Sequence, residues 1–139
     1  MKKRVLLLLL SAVVAIFCRT AQAQVIIIAN PSVKATEVSA SDLRDIFDGA
    51  STSLKGSAAV PVLLKQGAAH DEFLARYIGK SDSAFRASWH SMIFSGQGVM
   101  PWTVDSESAV IEYVARTPGA IAYISRSTPH AGVKTLTVR

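Results

Sequence analysis

The stretch VPVLLKQGAAHDEFLARYIG, Val60 to Gly79, decides how the chain is read. An apolar run ends at Leu64, breaks over Lys65, Gln66, Gly67, Ala68 and Ala69, and gives way to a helix opening near His70. Phe73, Leu74, Tyr77 and Ile78 fall on one helical face, and Gly79 is placed to end it. A strand that passes through small residues into a helix frames an anion seat, because the first turn of a helix presents free N–H groups and the positive end of its dipole. The same arrangement is also an ordinary corner. Gly67 then supplies only a special backbone angle, and the alanines only start a good helix.

The flanking sequence places this unit in an alternating pattern. Upstream, VIIIAN (Val25 to Asn30) is a short β-branched run closed by Asn30-Pro31-Ser32 and reads as a buried strand. Ser39 with Asp42 three residues later is an N-cap pair for a helix whose inner face is Leu43, Ile46 and Phe47 and whose stop is Gly49. STSLKGS reads as a polar loop. Ala58 to Leu64 reads as the second strand, with Pro61 arguing for an edge or a bulge. Downstream, Ser81 caps a helix carrying Phe85, Trp89, Met92 and Ile93, SGQGVMPW is a Gly-rich loop, and Ser106 opens a helix through Val110, Ile111 and Val114. AIAYI and VKTLTV are the last strands. The expected fold is α/β, a three-layer α/β lobe with a largely parallel or mixed sheet. Phe47, Phe73, Phe85 and Trp89 are expected in its core, Trp102 in packing, and Arg76, Lys80 and Arg86 in solvent.

The first 23 residues carry a different signal. Lys2, Lys3 and Arg4 precede an apolar stretch from Val5 to Phe17, and Ala21-Gln22-Ala23 closes it, the pattern of a cleaved secretory signal peptide. That stretch of 13 residues falls short of the roughly 20 that span a bilayer. The expected mature chain is one domain, Gln24 to Arg139, in the periplasm. Removing Lys2, Lys3, Arg4 and Arg19 leaves 11 basic residues against 10 acidic ones, so the high isoelectric point belongs to the precursor. No basic stripe with interleaved aromatics remains, which excludes an electrostatic footprint for nucleic acid. The only cysteine, Cys18, leaves with the signal, so no disulfide supports the core.

Catalytic and cofactor motifs are absent. His70, His90 and His130 lie far apart, without metal-ligand spacing, and there is no nucleophile elbow, phosphate-binding P-loop or GxGxxG. No enzyme activity, metal or cofactor is expected. The turns after the first two strands carry the polar chemistry. Were the two turns to meet at one sheet edge, Asn30 and Ser32 would offer side-chain hydrogen bonds. Gly67, Ala68, Ala69 and His70 would line the seat, with Lys65 and Gln66 adding a charge and a further donor.

The pieces LRDIFDG, FLARYIG, IFSGQGVMPW and VARTPGAIAYI, in this order, resemble the second half of phosphate-type substrate-binding proteins of ABC transporters, members of the type 2 periplasmic-binding-protein superfamily. The resemblance runs from about Val25 to Ile124. It implies a lobe that clamps phosphate or a similar oxyanion at helix N-termini, without catalysis, with an ABC permease or another envelope protein as partner. Against that pattern, Lys65 stands near an arginine position and Ala68 and Ala69 replace hydroxyl donors, which removes a bidentate fork and a serine hydroxyl. Leu54 replaces a tryptophan and Ala122 a glycine. The family closes two lobes on its ligand, and 116 residues make about one, so weak binding is expected unless a partner or a second copy supplies the other half. The rival expectation is a ligand-free protein–protein interaction module using the Gln97-Gly98 loop and Trp102.

Overall fold

A computed structural model describes residues 24–139; the signal-peptide reading of residues 1–23 lies outside them. β1 (Val25–Ala29), β2 (Glu37–Val38) and α1 (Ala40–Phe47) are followed by a small hairpin, β3 (Ser53–Leu54) and β4 (Ser57–Ala58). Then come β5 (Val60–Leu64), α2 (Ala68–Phe73) with a π-helical turn over Leu74–Ile78, α3 (Asp82–Phe94), β6 (Trp102–Val104), α4 (Glu107–Arg116), β7 (Ala120–Ser125) and β8 (Lys134–Val138).

The caps form where the sequence puts them. Ser39 accepts from the Asp42 N–H at 3.0 Å while Asp42 accepts from the Ser39 N–H, and Ser81 and Ser106 cap α3 and α4. Two readings change. STSLKGS is a hairpin, because Lys55 and Gly56 both take positive φ (48° and 79°), as a tight two-residue turn requires. Pro61 lies in an interior strand, not at an edge or bulge. Its nitrogen faces the β6 side one residue before β6 pairing begins at Val62, so no ladder bond is lost.

Six strands form one mixed sheet in the order β2-β8-β1-β7-β5-β6. β1 pairs antiparallel with both β7 and β8, whereas β2–β8, β5–β7 and β5–β6 are parallel, so β1 alone runs against the other five. β7 is buried along Ala120 to Ile124 on both of its faces, as a strand between two helical layers must be. On one side Tyr123 meets Phe47 of α1 and Phe73 of α2, with ring centroids 5.9 and 4.0 Å away. On the other, α4 lays Val110 and Val114 on the sheet. Phe47, Phe73, Phe85 and Trp89 are all in the core, and the Trp89 indole N–H donates to the Phe47 carbonyl at 3.0 Å, which locks α3 onto the end of α1. No helix among the described residues is long and apolar enough to cross a membrane.

Gly119 takes the chain into β7 at φ +79°, and a Cβ there would lie 2.7 Å from the Ala58 carbonyl oxygen. Gly119→Ala therefore combines left-handed backbone strain with a clash against main chain. The expected loss is about 2 kcal/mol, read as a fall of roughly 6 °C or more in a thermal-unfolding scan.

Candidate functional site

Because β1 opposes its neighbours, the two turns do not meet. Lys65 to Ala69 follow the carboxyl end of β5, beside Ser125 at the end of β7 and Asp105 after β6. Asn30 and Ser32 follow β1 and lie at the opposite end of the sheet, where β7 begins: the Asn30 N–H donates to the Ala120 carbonyl at 2.9 Å. The length of β1 separates the two groups by about 15 Å.

Asn30 and Ser32 also have their polar atoms engaged. The buried Asn30 amide donates to the Val114 and Ala115 carbonyls at 2.7 and 3.1 Å, closing the end of α4, and its Oδ1 accepts from the Ser32 N–H at 2.8 Å. The Ser32 hydroxyl accepts from the Gly119 N–H at 3.0 Å. Their role is to join β1, α4 and β7. The Asx-turn spacing Asn30-Pro31-Ser32 was the signal for it.

His70 leaves the ligand set as well. It is 2% exposed, and its ring faces the core rather than the turn. Nδ1 lies 2.5 Å from the Tyr123 hydroxyl and Nε2 2.7 Å from Asp82 Oδ1. The Tyr123 oxygen accepts from the Leu64 N–H at 3.0 Å, so its own proton goes to His70 Nδ1, and His70 Nε2–H donates to Asp82. Asp82 accepts twice from Arg86 Nε, at 3.1 and 3.0 Å, and Arg86 also donates to the Lys65 carbonyl at 2.7 Å. The circuit Leu64–Tyr123–His70–Asp82–Arg86–Lys65 thus pins both residues at the root of the turn.

The remaining members, Gln66, Gly67, Ala68 and Ala69, line a cavity of about 250 Å³ with Leu64, Asp105, Ser106, Glu107 and Ser125. Gly67 opens α2 at φ +119° and gives it no side-chain cap, unlike the serines before α1, α3 and α4. Lys65 lies 3.9 Å from Asp105 with both groups exposed, a pair worth little in water. The Glu107 carboxylate accepts from the Ser125 N–H at the cavity's edge. Asp105 and Glu107 escape the sequence reading because nothing in it marks Trp102–Val104 as a strand, leaving no strand end to place them at. Among the described residues, no three His, Cys, Asp or Glu side chains converge on a point where a metal would sit.

Trp102 and the Gly96 to Pro101 loop lie elsewhere, beside Val60 and Pro61 at the start of β5. Trp102 is 59% exposed and stacks on Tyr113 with centroids 5.9 Å apart, so it is a surface side chain rather than a core one.

No family model matches the sequence, and no curated protein matches it. Solved structures do. A candidate phosphate ABC transporter substrate-binding protein with bound phosphate from Clostridium perfringens superposes with a TM-score of 0.64 at 19% identity, over 82% of this chain and 44% of its own. The fold is that of the phosphate-type substrate-binding proteins. An ABC-type phosphate transport receptor from Vibrio cholerae (TM-score 0.61, 18% identity, 82% of this chain and 45% of that one) and PstS from Borrelia burgdorferi (0.61, 20%, 83% and 47%) agree. The chain spans less than half the length of each of these structures.

Tyr123→Phe removes the acceptor of the Leu64 N–H and the donor to His70 in a buried site. The expected cost is about 1–3 kcal/mol in thermal or urea unfolding. Burial raises the Asp82 carboxyl, but hydrogen bonds from His70 and Arg86, with the Arg86 charge, outweigh it and hold the group below its ordinary value of 3.8. A depressed carboxyl contributes stability above its unfolded value and loses it as pH falls through the folded one. Stability is therefore expected to decline below about pH 4, and Asp82→Asn to flatten that decline in unfolding midpoints measured from pH 6 to pH 2.5.

Proposed function

We propose that the chain is a periplasmic solute-binding lobe that takes phosphate or a similar oxyanion weakly at the Gly67 turn, without catalysis, in ABC-type phosphate uptake. The observation that carries this reading is the cavity at the carboxyl ends of β5 and β7, where α2 opens with no side chain capping it. In open α/β sheets, ligands favour the crevice beyond the carboxyl ends of the strands. The fold is shared with a structure that holds bound phosphate, which supports an oxyanion as the ligand class. The ligand set in this reading is Gln66, Gly67, Ala68 and Ala69, with Lys65 at the rim. Asp105 and Glu107 lower the affinity, since an ionised carboxylate beside an anion repels it and accepts hydrogen bonds only.

A second reading, a ligand-free protein–protein interaction module, is favoured by a separate feature. A groove of about 450 Å³ runs between Ile46, Trp89, Met92 and Pro101, and Val99 and Trp102 in its lining are exposed to 86% and 59%. Clustered exposed apolar side chains commonly mark interaction surfaces.

The test is a thermal-unfolding scan against phosphate, sulfate and chloride at matched ionic strength, on the protein and on Ala68→Glu. A ligand at 100 times its dissociation constant adds about 2.7 kcal/mol, a rise of roughly 8 °C. Gly67 is a poor site for the test, because any side chain at φ +119° is strained. Ala68 is exposed in the first turn of α2, where a carboxylate stabilises the helix by about 0.3–1 kcal/mol while repelling an anion. Ala68→Glu is expected to melt no lower than the parent and to lose its response to phosphate. A phosphate response that survives it overturns the placement. A protein that ignores phosphate, but self-associates in sedimentation until Val99→Ser disperses it, decides for the second reading.

A further inference from the structure

The corner of the sheet where β1 begins holds a cavity that the Gly67 turn does not share. It measures about 440 Å³ and is lined by Gln24 to Ile27 of the β1 end, by Thr135 to Val138 of β8, and by Arg76, Tyr77 and Arg126. Its charged side chains are the two arginines, and no Asp or Glu lines it. Among the described residues, neither guanidinium lies within 4.0 Å of a carboxylate. Arg76 lies with its guanidinium carbon 5.4 Å from the Tyr77 ring centroid, and the Arg126 N–H donates to the Gln24 carbonyl at 2.8 Å, where β7 ends.

Two like charges facing one concavity without a counter-charge leave its potential positive, and the buried Val25, Ile27 and Leu136 beneath keep the local dielectric low. Guanidinium forks match the oxygens of phosphate better than an ammonium does. The size argues against free phosphate as the natural guest. A water occupies about 30 Å³ of liquid, a bare phosphate on the order of two or three times that, and cavities of roughly 300–1,000 Å³ are typical of whole small molecules. We propose that this corner is a second anion site, separate from the Gly67 cavity, that binds a phosphate ester through Arg76 and Arg126. The organic part of the ester lies along Tyr77 and the ends of β1 and β8.

Titration calorimetry with phenyl phosphate and with inorganic phosphate tests this on the purified protein, on Arg76→Gln, on Arg126→Gln and on Ala68→Glu. Both arginines are exposed, so the glutamine variants are expected to unfold at the parental temperature, which circular dichroism checks. Phenyl phosphate is expected to bind more tightly than inorganic phosphate, to weaken at least tenfold in each arginine variant, and to bind Ala68→Glu as it binds the parent. Absence of phenyl phosphate binding at millimolar concentration overturns the proposal. So does binding that ignores both arginine changes and disappears in Ala68→Glu, which assigns the ester to the Gly67 cavity instead. Arginine-dependent sedimentation with phosphatidylglycerol vesicles, without binding of the soluble ester, also overturns it and makes the corner a membrane contact. Loss of the phosphate response in Ala68→Glu alone bears on the Gly67 seat and leaves this site standing.

Discussion

The Tyr123 hydroxyl is the hinge of the structure. β5 pairs with β7 only at Val60 and Pro61, and the two strands then part. Where the ladder opens, the Leu64 N–H would be a buried donor with no carbonyl to meet, and leaving such a group unpaired costs about 1–3 kcal/mol. The Tyr123 oxygen takes that bond and passes its own proton to His70. Burial pushes the Tyr123 hydroxyl far above its ordinary value of 10, so the group stays a neutral donor. From there Asp82 and Arg86 return the chain of hydrogen bonds to the Lys65 carbonyl. The parting of the strands makes room for the Gly67 turn, and the circuit fixes the turn on both sides of its root.

That arrangement explains which parts of the chain were legible. Serine caps, glycine stops and 3.6-residue spacing are local, and they placed α1, α3 and α4 within a residue or two of their observed starts. His70 was legible too, had its spacing been weighed: it precedes Phe73, Leu74 and Tyr77 on one helical face, so the periodicity that put those three in the core put His70 there with them. The direction of β1 was not legible. It is decided by pairing with β7 and β8, roughly 100 residues later in the chain, and an apolar strand reads the same in either direction. Reversing that one strand sends Asn30 and Ser32 to the far end of the sheet. β6 escaped notice for another reason, since three residues after Met100-Pro101 show no period.

The two proposed anion sites lie at the same end of the sheet. The Gly67 cavity offers backbone N–H groups, but two carboxylates stand in it and the adjacent Lys65 is shared with Asp105. The corner beside β1 offers two guanidiniums and no acid. Charge favours the corner and backbone geometry favours the turn. A helix terminus contributes about 0.3–1 kcal/mol toward an exposed anion, less than the roughly 1.5–3 kcal/mol of a hydrogen bond to a charged partner. In the proposed seat, on those magnitudes, the turn alone would hold phosphate only weakly, because Lys65, Ala68 and Ala69 offer neither a guanidinium fork nor hydroxyls. The circuit behind the turn does not depend on a ligand, because Tyr123 and His70 are buried in the core and the whole chain of bonds answers to the strand opening. A fold shared with phosphate-binding proteins therefore carries less information about the ligand than the side chains at the rim do.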